Sequence, residues 1–491
     1  MKLRHFITSI IIASFFIFTS CKFNHEAKLV ILHTNDTHSH IDPDPECDLG
    51  GALRRKVLID SVRACEKNVL LVDAGDAVQG SLYYTFYKGL VEALMMNGME
   101  YDIVTIGNHE FDNAMQSLAN QYNALNATIV SANYDMSNTP LDTMVTPIAI
   151  KEYDGKRIAV IGLNISPENL ISSRKCLGMK FNDITTSANH YAQLAKDSLN
   201  ADFVVALTHI GYPADSILAL NSRNIDIIIG GHSHSTINPS STSTDVYRIK
   251  NLDNKEVLIA QTGSNGHNLG QITIDLDSRK ITSRLIQVDN RLDNRLDPEL
   301  KAVLSPYKHV VDSFHAIKAT QSSVKLERNK EPLINFVSDF IHMRGEQLCN
   351  KHIDVAIMNR GGIRNSLPKG SISKGDLMMT FPFDNFISVI EVPGDKISCV
   401  MEEIARGNRH SISSKSITTF DPNKTYLLAT IDYLAEGNDG LSMLQGCKII
   451  HKSNVDLKDD LIQFFSQEQN KDYVIIPDTT NRTLNIINNQ K

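Results

Sequence analysis

The sequence predicts an α/β protein built from two domains. A chain of 491 residues is longer than one typical hydrophobic core requires, which favours more than one domain. Between residue 28 and about residue 290, short runs rich in Val and Ile alternate with helix-like stretches, a pattern typical of α/β domains with buried strands. A second block with its own helix and strands starts at about residue 326.

Eight apolar runs in the first block are predicted to be strands, because each is short and rich in residues that favour strands. In chain order they are KLVILHTND, NVLLVDAGD, YDIVTIGNHE, ATIVSANY, RIAVIGLN, DFVVALTHIG, IDIIIGGHSH and EVLIAQTGS. Helical stretches such as NAMQSLANQYNAL separate them. Residues 28–290 are therefore expected to form one large α/β domain.

The rest of the chain is predicted to contain a connector and a smaller domain. Residues 291–325 are charged and follow a helical period with one Pro interruption, so they are expected to be a helical connector. Residues 326–491 contain a helical segment, PLINFVSDFIHMRGEQL, a glycine-rich turn, NRGGIRNS, and two predicted strands, FISVIEV and TYLLATIDYL. These elements predict a second α/β domain.

The N-terminus resembles a processing signal. Lys2 and Arg4 precede the apolar stretch FITSIIIASFFIF, which is too short to span a bilayer as a helix. The following TSC resembles the lipobox of bacterial lipoproteins, with Phe18 in place of the usual aliphatic residue. We expect residues 1–20 to be a signal peptide and Cys21 to carry lipid, so that the protein is exported and membrane-anchored, in the periplasm or at the cell surface. An ordinary cleaved signal peptide is the alternative.

Composition and cysteine spacing argue against several other functions. A net charge of -7 is unfavourable for binding a nucleic-acid polymer through bulk electrostatics. The six cysteines after Cys21 are widely scattered and lack CxxC spacing, so neither a zinc knuckle nor a redox motif is indicated. These cysteines are Cys47, Cys65, Cys176, Cys349, Cys399 and Cys447. The sequence leaves open whether any of them form disulfides.

Metal-type side chains follow five of the predicted strands. In chain order, they are Asp36, His38, Asp76, Asn108, His109, His209, His232 and His234. In an open α/β sheet, ligands bind beyond the carboxyl ends of the strands, so these side chains are expected to converge on one edge. His33 and His40 lie in the same part of the sequence and are interpreted as structural residues.

The chemistry of these groups suits a pair of metal ions. Imidazole, carboxylate and an amide oxygen together favour Zn, Mn, Fe or Co. Two divalent ions about 3.5 to 4 Å apart, with one carboxylate between them, form a clamp for in-line displacement at phosphorus. The pattern therefore indicates a phosphohydrolase that uses two divalent metal ions.

Several motifs also resemble those of a known family. DTH, GDAVQG, GNHEFD, THIG and GHSH resemble the blocks of calcineurin-like metallophosphoesterases, in the same order. NRGGIR, FPFDN and YLAEGNDG resemble the NGGGIR, PFGN and FLANGGDG elements of the 5′-nucleotidase family. The resemblance covers essentially the whole mature chain. It implies an N-terminal four-layer metallophosphoesterase β-sandwich flanked by helices, and a smaller C-terminal α/β substrate-binding domain.

The resemblance implies metal ligands and a catalytic pair. The implied ligands form two sets joined by one bridging carboxylate: Asp36, His38 and His234; Asn108, His209 and His232; and Asp76 between them. A hydroxide between the ions would attack phosphorus, and His109 would stabilise the developing charge. Asp112 would orient the His109 imidazole and favour its charged form. Glu110 is interpreted as a structural residue.

The second domain would hold the substrate. The resemblance implies five substrate-binding residues: Asn359, Arg364, Phe383, Tyr433 and Asp439. The Arg364 guanidinium would clamp the phosphate through two N–H groups, with Asn359 as a further polar contact. Phe383 and Tyr433 would stack on the two faces of the base. Asp439 would accept hydrogen bonds from the ribose hydroxyls.

Three of the departures from the family pattern concern the candidate site most directly. His234 stands where several members have Gln, which keeps a ligand but shifts the metal preference toward softer ions. Arg360 stands where Gly is usual, and Tyr433 stands where Phe is frequent. Arg328 is a candidate for a further phosphate-binding arginine, although its surroundings align poorly with the family.

The leading interpretation is an exported two-metal 5′-nucleotidase of nucleotide catabolism. Its expected partners are a small-molecule nucleotide and a membrane, and the oligomeric state is not predicted. The alternatives on the same site are a 2′,3′-cyclic-nucleotide phosphodiesterase and a hydrolase of UDP-sugars or other nucleotide pyrophosphates. A non-catalytic nucleotide-binding surface lipoprotein is disfavoured, because all seven expected metal positions and the His109–Asp112 pair carry suitable side chains.

Overall fold

The computed structural model of the protein describes residues 27–168, 170–238, 247–407 and 409–483. The predicted signal peptide, residues 1–20, and the predicted lipidation site, Cys21, lie outside these ranges. Within them, no helix is both long enough and apolar enough to cross a membrane. All six cysteines after Cys21 fall in the described ranges, and all six are free thiols.

Residues 28–287 form two large sheets. Their strands, together with those of a small two-stranded sheet (β5 and β9), are β1 (Lys28–Thr34), β2 (Val69–Asp73), β3 (Ile103–Thr105), β4 (Thr128–Val130), β5 (Tyr134–Asp135), β6 (Val145–Thr146), β7 (Ile148–Tyr153), β8 (Lys156–Asn164), β9 (Lys180–Phe181), β10 (Phe203–His209), β11 (Ile227–Ile229), β12 (Arg248–Lys250), β13 (Glu256–Ala260), β14 (Asn268–Asp275) and β15 (Ile281–Gln287). The first large sheet has the order β15-β14-β1-β2-β3-β4-β6 and the second β12-β13-β11-β10-β8-β7. All eight predicted strands are present.

Helices cover the outer faces of both sheets. The helices up to the second domain are α1 (Ala52–Cys65), α2 (Leu82–Tyr87), α3 (Leu90–Met99), α4 (Ala114–Asn123), α5 (Ile184–Asp197), α6 (Tyr212–Asn221) and α7 (Pro298–His315). Because successive strand residues point to opposite faces, β1 buries Leu29 and Ile31 in the core between the sheets. It buries Val30 and Leu32 against α1, α3 and α4. The helix–sheet–sheet–helix layering confirms the predicted four-layer sandwich.

The strands that precede the predicted site run parallel and end at the same edge. In the first sheet, β1 pairs in parallel with β2, and β2 pairs in parallel with β3. In the second sheet, β10 pairs in parallel with β11. The carboxyl ends of these strands therefore supply the loops from which a site can be built.

The rest of the chain forms a smaller α/β unit. Its strands and helices are β16 (Lys318–Ser322), α8 (Glu331–Cys349), β17 (Val355–Asn359), β18 (Gly370–Ser373), α9 (Lys374–Thr380), β19 (Phe386–Pro393), α10 (Gly394–Arg406), β20 (His410–Ile412), β21 (Thr425–Ile431), α11 (Asp432–Ala435), β22 (Lys448–Asp456), α12 (Leu457–Ser466) and β23 (Val474–Ile475). One sheet has the order β20-β17-β21-β19-β22, and the other has the order β18-β16-β23.

The helical part of the predicted connector, residues 291–325, ends earlier than expected. Helix α7 ends at His315, and β16 follows within the predicted range, paired with β18 and β23. Thr320 and Ser322 are buried in this strand. Its partners lie far along the chain, so local helical periodicity could not reveal it.

Candidate active site

The side chains predicted to hold metal ions lie on loops that directly follow the parallel strands. Asp36 and His38 follow β1, Asp76 follows β2, and Asn108 follows β3. His209 is the last residue of β10, whereas His232 and His234 follow β11. The structure brings all seven together at the edge where the two sheets end, in two neighbouring groups.

Five of these residues have a left-handed backbone. Their φ angles are 48° at Asp36, 47° at His38, 54° at Asp76, 74° at His232 and 54° at His234. Non-glycine residues seldom adopt this conformation, and it concentrates at functional sites where the surrounding structure holds it. The sharp turns let closely spaced residues such as Asp36 and His38 face the same point.

The first group consists of Asp36, His38 and His234. His38 Nε2 and His234 Nε2 are 3.0 Å apart, and His234 Nε2 lies 3.4 Å from Asp36 Oδ1. Asp36 and His38 are buried, whereas His234 is partly open to solvent. Two imidazole nitrogens and a carboxylate oxygen that converge so closely are suited to holding one cation.

The second group consists of Asp76, His209, His232 and Asn108. His209 Nε2 lies 3.2 Å from Asp76 Oδ2, and His232 Nδ1 lies 2.8 Å from Asn108 Oδ1. His209 Nε2 is also 4.0 Å from Asp36 Oδ1, so the two groups adjoin. The arrangement can hold a second cation beside the first.

The tautomer of His209 supports a metal at this position. Its Nδ1–H donates to the carbonyl of Ala74 at 2.7 Å, which directs Nε2 to the cation position. That Nε2 atom is buried and lies 3.2 Å from Asp76 Oδ2 and 4.0 Å from Asp36 Oδ1. A buried imidazole nitrogen that meets two carboxylate oxygens can share a cation with them, so the residues present fit divalent metal ions.

The charge states of two of the histidines also favour cation binding. Burial lowers the pKa of His38 well below its usual value, and it lowers the pKa of His232 to about 4, so both imidazoles are neutral near pH 7. Burial opposes the charge of His209, but without a metal the Asp76 carboxylate outweighs it and raises the pKa of His209 to about 10. A cation at this position would displace the His209 proton.

Glu110 is a buried support for the loop that carries Asp76. Its carboxylate accepts hydrogen bonds from the backbone N–H groups of Gly107 at 2.7 Å, Ala77 at 3.0 Å and Asp76 at 3.2 Å. Burial and the neighbouring Asp76 carboxylate hold the pKa of Glu110 well above its usual value. The residue interpreted as structural therefore ties the loop after β2 to the loop after β3.

His109 and Asp112 form a hydrogen-bonded pair beside the two groups. His109 Nδ1 lies 2.8 Å from Asp112 Oδ2, and the backbone N–H of His109 donates to Asp76 Oδ1 at 2.9 Å. The pair sits on a short 3-10 turn, His109–Phe111, which directly precedes α4. Because Asp112 engages Nδ1, Nε2 is the nitrogen free to act on a substrate.

The two histidines interpreted as structural lie outside this pattern. His33 is fully buried against Gly270 of β14, and burial lowers its pKa to about 3. His40 Nδ1 lies 3.0 Å from the carbonyl oxygen of His38. Burial lowers the pKa of both side chains, which is consistent with neutral histidines outside the two metal-type groups.

A cavity of about 390 Å³ adjoins the metal-type groups and is lined by both parts of the chain. The two-sheet unit, residues 28–287, contributes lining residues that include Asp76, Asn108, His109, Asp112, His232 and His234. From the second part it is lined by all five predicted substrate-binding residues: Asn359, Arg364, Phe383, Tyr433 and Asp439. The fold therefore brings the candidate catalytic pair and the candidate substrate residues to one space.

Phe383 connects the two sides of this cavity. Its ring stacks on the His109 ring with centroids 6.0 Å apart, and the Arg364 guanidinium lies 5.9 Å from its centroid. Burial lowers the pKa of Arg364, but the side chain remains a cation near pH 7. The guanidinium thus lies in the neighbourhood of the candidate catalytic pair, His109 and Asp112.

Asn359 and Asp439 form a second polar contact in the cavity. Asn359 Nδ2 donates to Asp439 Oδ2 at 2.8 Å, which fixes the carboxylate. Burial, followed by the charges of Asp439 and Asp112, raises the pKa of Tyr433 to about 12, so its hydroxyl stays neutral. These groups offer acceptors and an aromatic face to a ligand.

The two arginines whose roles the sequence leaves open have different surroundings. Arg328 lines the cavity, donates from Nε to the carbonyl of Ile363 at 3.0 Å, and has its pKa lowered to about 10 by burial and by Arg364. Arg360 forms an ion pair with Glu331 at 3.2 Å. Arg328, rather than Arg360, is therefore the further cation next to Arg364.

Part of the cavity wall was not predicted from the sequence. Arg174 and Lys175 line the cavity from the 3-10 turn Ser173–Cys176, and Arg174 forms an ion pair with Glu436 of the second part. This turn lies in an irregular segment without a recognisable motif, so no pattern in the sequence indicated it.

Comparisons with known proteins agree with this arrangement. A family model described as calcineurin-like phosphoesterase matches residues 29–236, and one for the 5′-nucleotidase C-terminal domain matches residues 310–419. The trifunctional nucleotide phosphoesterase protein YfkN of Bacillus subtilis is 29% identical over 421 residues, which cover 76% of this chain but 27% of that protein. The 5′-nucleotidase of Homo sapiens is 25% identical over 496 residues, covering 87% of this chain and 86% of that one.

Solved structures show the same architecture. The crystal structure of a 5′-nucleotidase precursor from Thermus thermophilus matches with a TM-score of 0.80 at 26% identity and covers 93% of this chain and 98% of that one. A putative 5′-nucleotidase from Staphylococcus aureus matches in fold with a TM-score of 0.71 at 18% identity, covering 92% and 99% of the two chains. The chain therefore belongs to the 5′-nucleotidase family, with an N-terminal calcineurin-like phosphoesterase domain and a C-terminal 5′-nucleotidase domain.

Proposed function

We propose that the protein is an exported, two-metal 5′-nucleotidase that hydrolyses the 5′-phosphate of nucleotides. The observation that carries the proposal is the position of two adjoining metal-type groups on a cavity that second-domain residues complete. In this proposal, the metals are held by the domain of residues 28–290, and the substrate is bound by the domain of residues 326–491. Residues 291–325 connect the two domains. The family assignment supports a hydrolase of nucleotide phosphates.

Two divalent ions would be held by the predicted ligands. Asp36, His38 and His234 would hold one ion, Asn108, His209 and His232 the other, and Asp76 would bridge them. When bound, such ions supply a nucleophilic hydroxide at neutral pH and neutralise phosphate charge. The identity of the metals is open among Zn, Mn, Fe and Co.

The protein's own side chains would bind the phosphate and stabilise its developing charge. The Arg364 guanidinium would bind two phosphate oxygens, with the neighbouring Arg328 adding positive charge. His109 would donate a hydrogen bond or a proton from Nε2 toward the phosphate or the leaving oxygen. Asp112 Oδ2 lies 2.8 Å from His109 Nδ1 and would orient the imidazole, so that Nε2 faces the phosphate.

The nucleoside would be held by the second domain. Phe383 and Tyr433 would stack on the base, and Asp439, fixed by Asn359, would accept hydrogen bonds from the ribose hydroxyls. Tyr433 in place of Phe keeps the aromatic face, so stacking is retained. This recognition would distinguish nucleotides from simple phosphate esters.

A phosphate-release assay tests the proposal. The purified protein would be given AMP, UMP, ATP, a UDP-sugar, 2′,3′-cyclic AMP and an aryl phosphate, with EDTA treatment and add-back of divalent ions. The nucleotide products would be separated as well, because cleavage of a UDP-sugar or of a cyclic phosphate releases no phosphate in its first step. We expect nucleoside monophosphates to be preferred and activity to be lost on chelation. Preference for cyclic AMP or the UDP-sugar would favour the alternative activities, whereas activity that resists thorough chelation would contradict the two-metal mechanism.

The catalytic pair can be tested separately. His109→Ala should lower kcat by about 10² to 10⁴ while metal content is retained. His190→Ala, which changes an exposed histidine of α5, is the matched control and should leave kcat unchanged. A His109→Ala enzyme with normal kcat would remove this residue from the mechanism.

Export and anchoring are proposed from the sequence alone. Cys21→Ser should abolish lipid attachment and release the mature protein from the membrane fraction, while phosphate release persists. Membrane association that survives the substitution would contradict the lipid anchor.

A further inference from the structure

A group of metal-type side chains also lies away from the proposed catalytic ions. Asp44 and Cys47 come from the loop between β1 and α1, and His267 comes from the loop between β13 and β14. Their ligand atoms all lie within 4.8 Å of one another. His267 Nε2 is 3.2 Å from Asp44 Oδ2 and 3.8 Å from Cys47 Sγ.

The geometry distinguishes between two uses of a cysteine, a histidine and an aspartate. A nucleophilic relay needs the histidine to contact the thiol with one ring nitrogen and the carboxylate with the other. Here both partners meet the same nitrogen, His267 Nε2. A thiol, a carboxylate and one imidazole nitrogen that converge on a common point form the donor set of a metal site instead.

The loop that carries Asp44 holds its carboxylate in place. Asp44 Oδ1 accepts the backbone N–H of Glu46 at 2.9 Å, and the Asp44 carbonyl accepts the N–H of Asp48 at 2.8 Å. The Asp44 N–H donates to the carbonyl of Leu49 at 2.8 Å. Because Oδ1 is engaged by the backbone, Oδ2 is the oxygen directed to His267.

A glycine allows the two loops to approach. Gly50 has a left-handed φ of 79°, and a Cβ there would lie 2.9 Å from the carbonyl oxygen of Asn265. It would also lie 3.4 Å from His267 Cδ2. A residue with a side chain at position 50 would therefore push the His267 loop away from Asp44 and Cys47.

We propose that Asp44, Cys47 and His267 form an additional metal site for a zinc-class divalent cation. Thiolate and imidazole ligands suit Zn²⁺ and Co²⁺, and the two anionic ligands balance the charge of the ion. Cys47 is exposed, so solvent can complete the coordination. On binding, the Cys47 S–H proton passes to solvent and a sulfur–metal bond forms.

The position of the site suggests what the ion does. In the same loop, Asp42 pairs with Lys308 of α7 at 3.3 Å, and Glu46 pairs with Lys325 at 2.6 Å. The loop thus contacts both α7 and the segment that directly follows β16. An ion at Cys47 would fasten this loop to the His267 loop and stabilise the surface on which those contacts depend.

Cobalt binding tests the proposal without reference to activity. The ligands at the catalytic cavity are Asp, Asn and His, so a thiolate-to-cobalt charge-transfer band in the near ultraviolet would report the Cys47 site alone. We expect this band when metal-free wild type is titrated with Co²⁺, and its loss in Cys47→Ser. Cys65→Ser, which alters another exposed free thiol, is the matched control and should keep the band.

Zinc stoichiometry supplies the second measurement. After equilibration with Zn²⁺, wild type should retain one more equivalent per chain than Cys47→Ser, and His267→Asn should lose the same equivalent. Circular dichroism would establish that each variant is folded. A folded wild type without the cobalt band, or a band that persists in Cys47→Ser, would overturn the proposal whether or not the other variants fold.

Discussion

Replacing Glu110 with Gln tests whether the site is held together by backbone hydrogen bonds. The carboxylate accepts three N–H groups, two at Oε2, from Asp76 and Gly107, and one at Oε1, from Ala77. Gln has one accepting oxygen and an NH₂ group that can only donate. Whichever way the amide is turned, at least one buried N–H loses its acceptor.

The expected cost follows from the number of lost bonds. One buried, unpaired N–H destabilises the folded protein by about 1 to 3 kcal/mol. Since the same bonds position the loop that carries Asp76, metal affinity should also fall by about 10-fold to 100-fold, as for other residues that orient a metal ligand. Glu110→Gln is therefore expected to weaken both the fold and the metal site.

Two assays separate these effects. Urea unfolding in EDTA measures the stability of the metal-free protein, and competition with a chelator measures affinity for Mn²⁺ or Zn²⁺. Glu66→Gln is the control, because Glu66 is partly exposed and forms an ion pair with Lys28 at 2.7 Å, away from the metal-type groups. Lost stability with unchanged metal affinity would mean that Glu110 supports the fold alone, and no change in either quantity would refute the reasoning.

Three further substitutions have defined outcomes. Burial raises the pKa of the Asp215 carboxyl to about 7, against about 3.9 in the unfolded chain, so the stability that its protonated form contributes is lost as the pH rises through 7. In urea unfolding, the free energy of unfolding should therefore fall between pH 5 and pH 8 by about 3 kcal/mol less in Asp215→Asn than in wild type. An equal fall in the two proteins would contradict this. Arg364→Lys should lower kcat/KM for AMP about 10-fold to 100-fold, and an unchanged value would exclude two-oxygen binding. Tyr433→Ala should raise KM for AMP about 5-fold to 100-fold but leave aryl phosphate turnover intact, whereas Tyr433→Phe should change neither.

The ligand groups could be predicted because their signal is local. Each short motif, such as GNHEFD or GHSH, places metal-type residues directly after an apolar run. Parallel strands end at a common edge, so adjacency in space follows from the strand pattern without knowledge of the packing. The structure brings together Asp36, His38 and His234, which are separated by up to about 200 positions, through this rule alone.

Other contacts could not be predicted, because they join residues far apart in the sequence or involve backbone groups that any residue type supplies. Glu110 contacts backbone N–H groups of a loop 33 and 34 positions away, and any residue type supplies such donors. Cys47 and His267 are 220 positions apart and belong to no shared motif. Strand β16 depends on pairing with β18 and β23, whereas its own short sequence shows no strong alternation.

The carboxylates of Asp36 and Asp76 each accept a hydrogen bond from a backbone N–H of a different ligand loop. They also face the positions proposed for the cations. Asp36 accepts the N–H of His232 at 3.0 Å, and Asp76 accepts that of His109 at 2.9 Å through Oδ1 while Oδ2 faces His209. These bonds offset the cost of the left-handed backbone at Asp36, Asp76 and His232. Since each of these bonds joins two ligand loops directly, we expect the protein itself, rather than a bound ion, to position the loops.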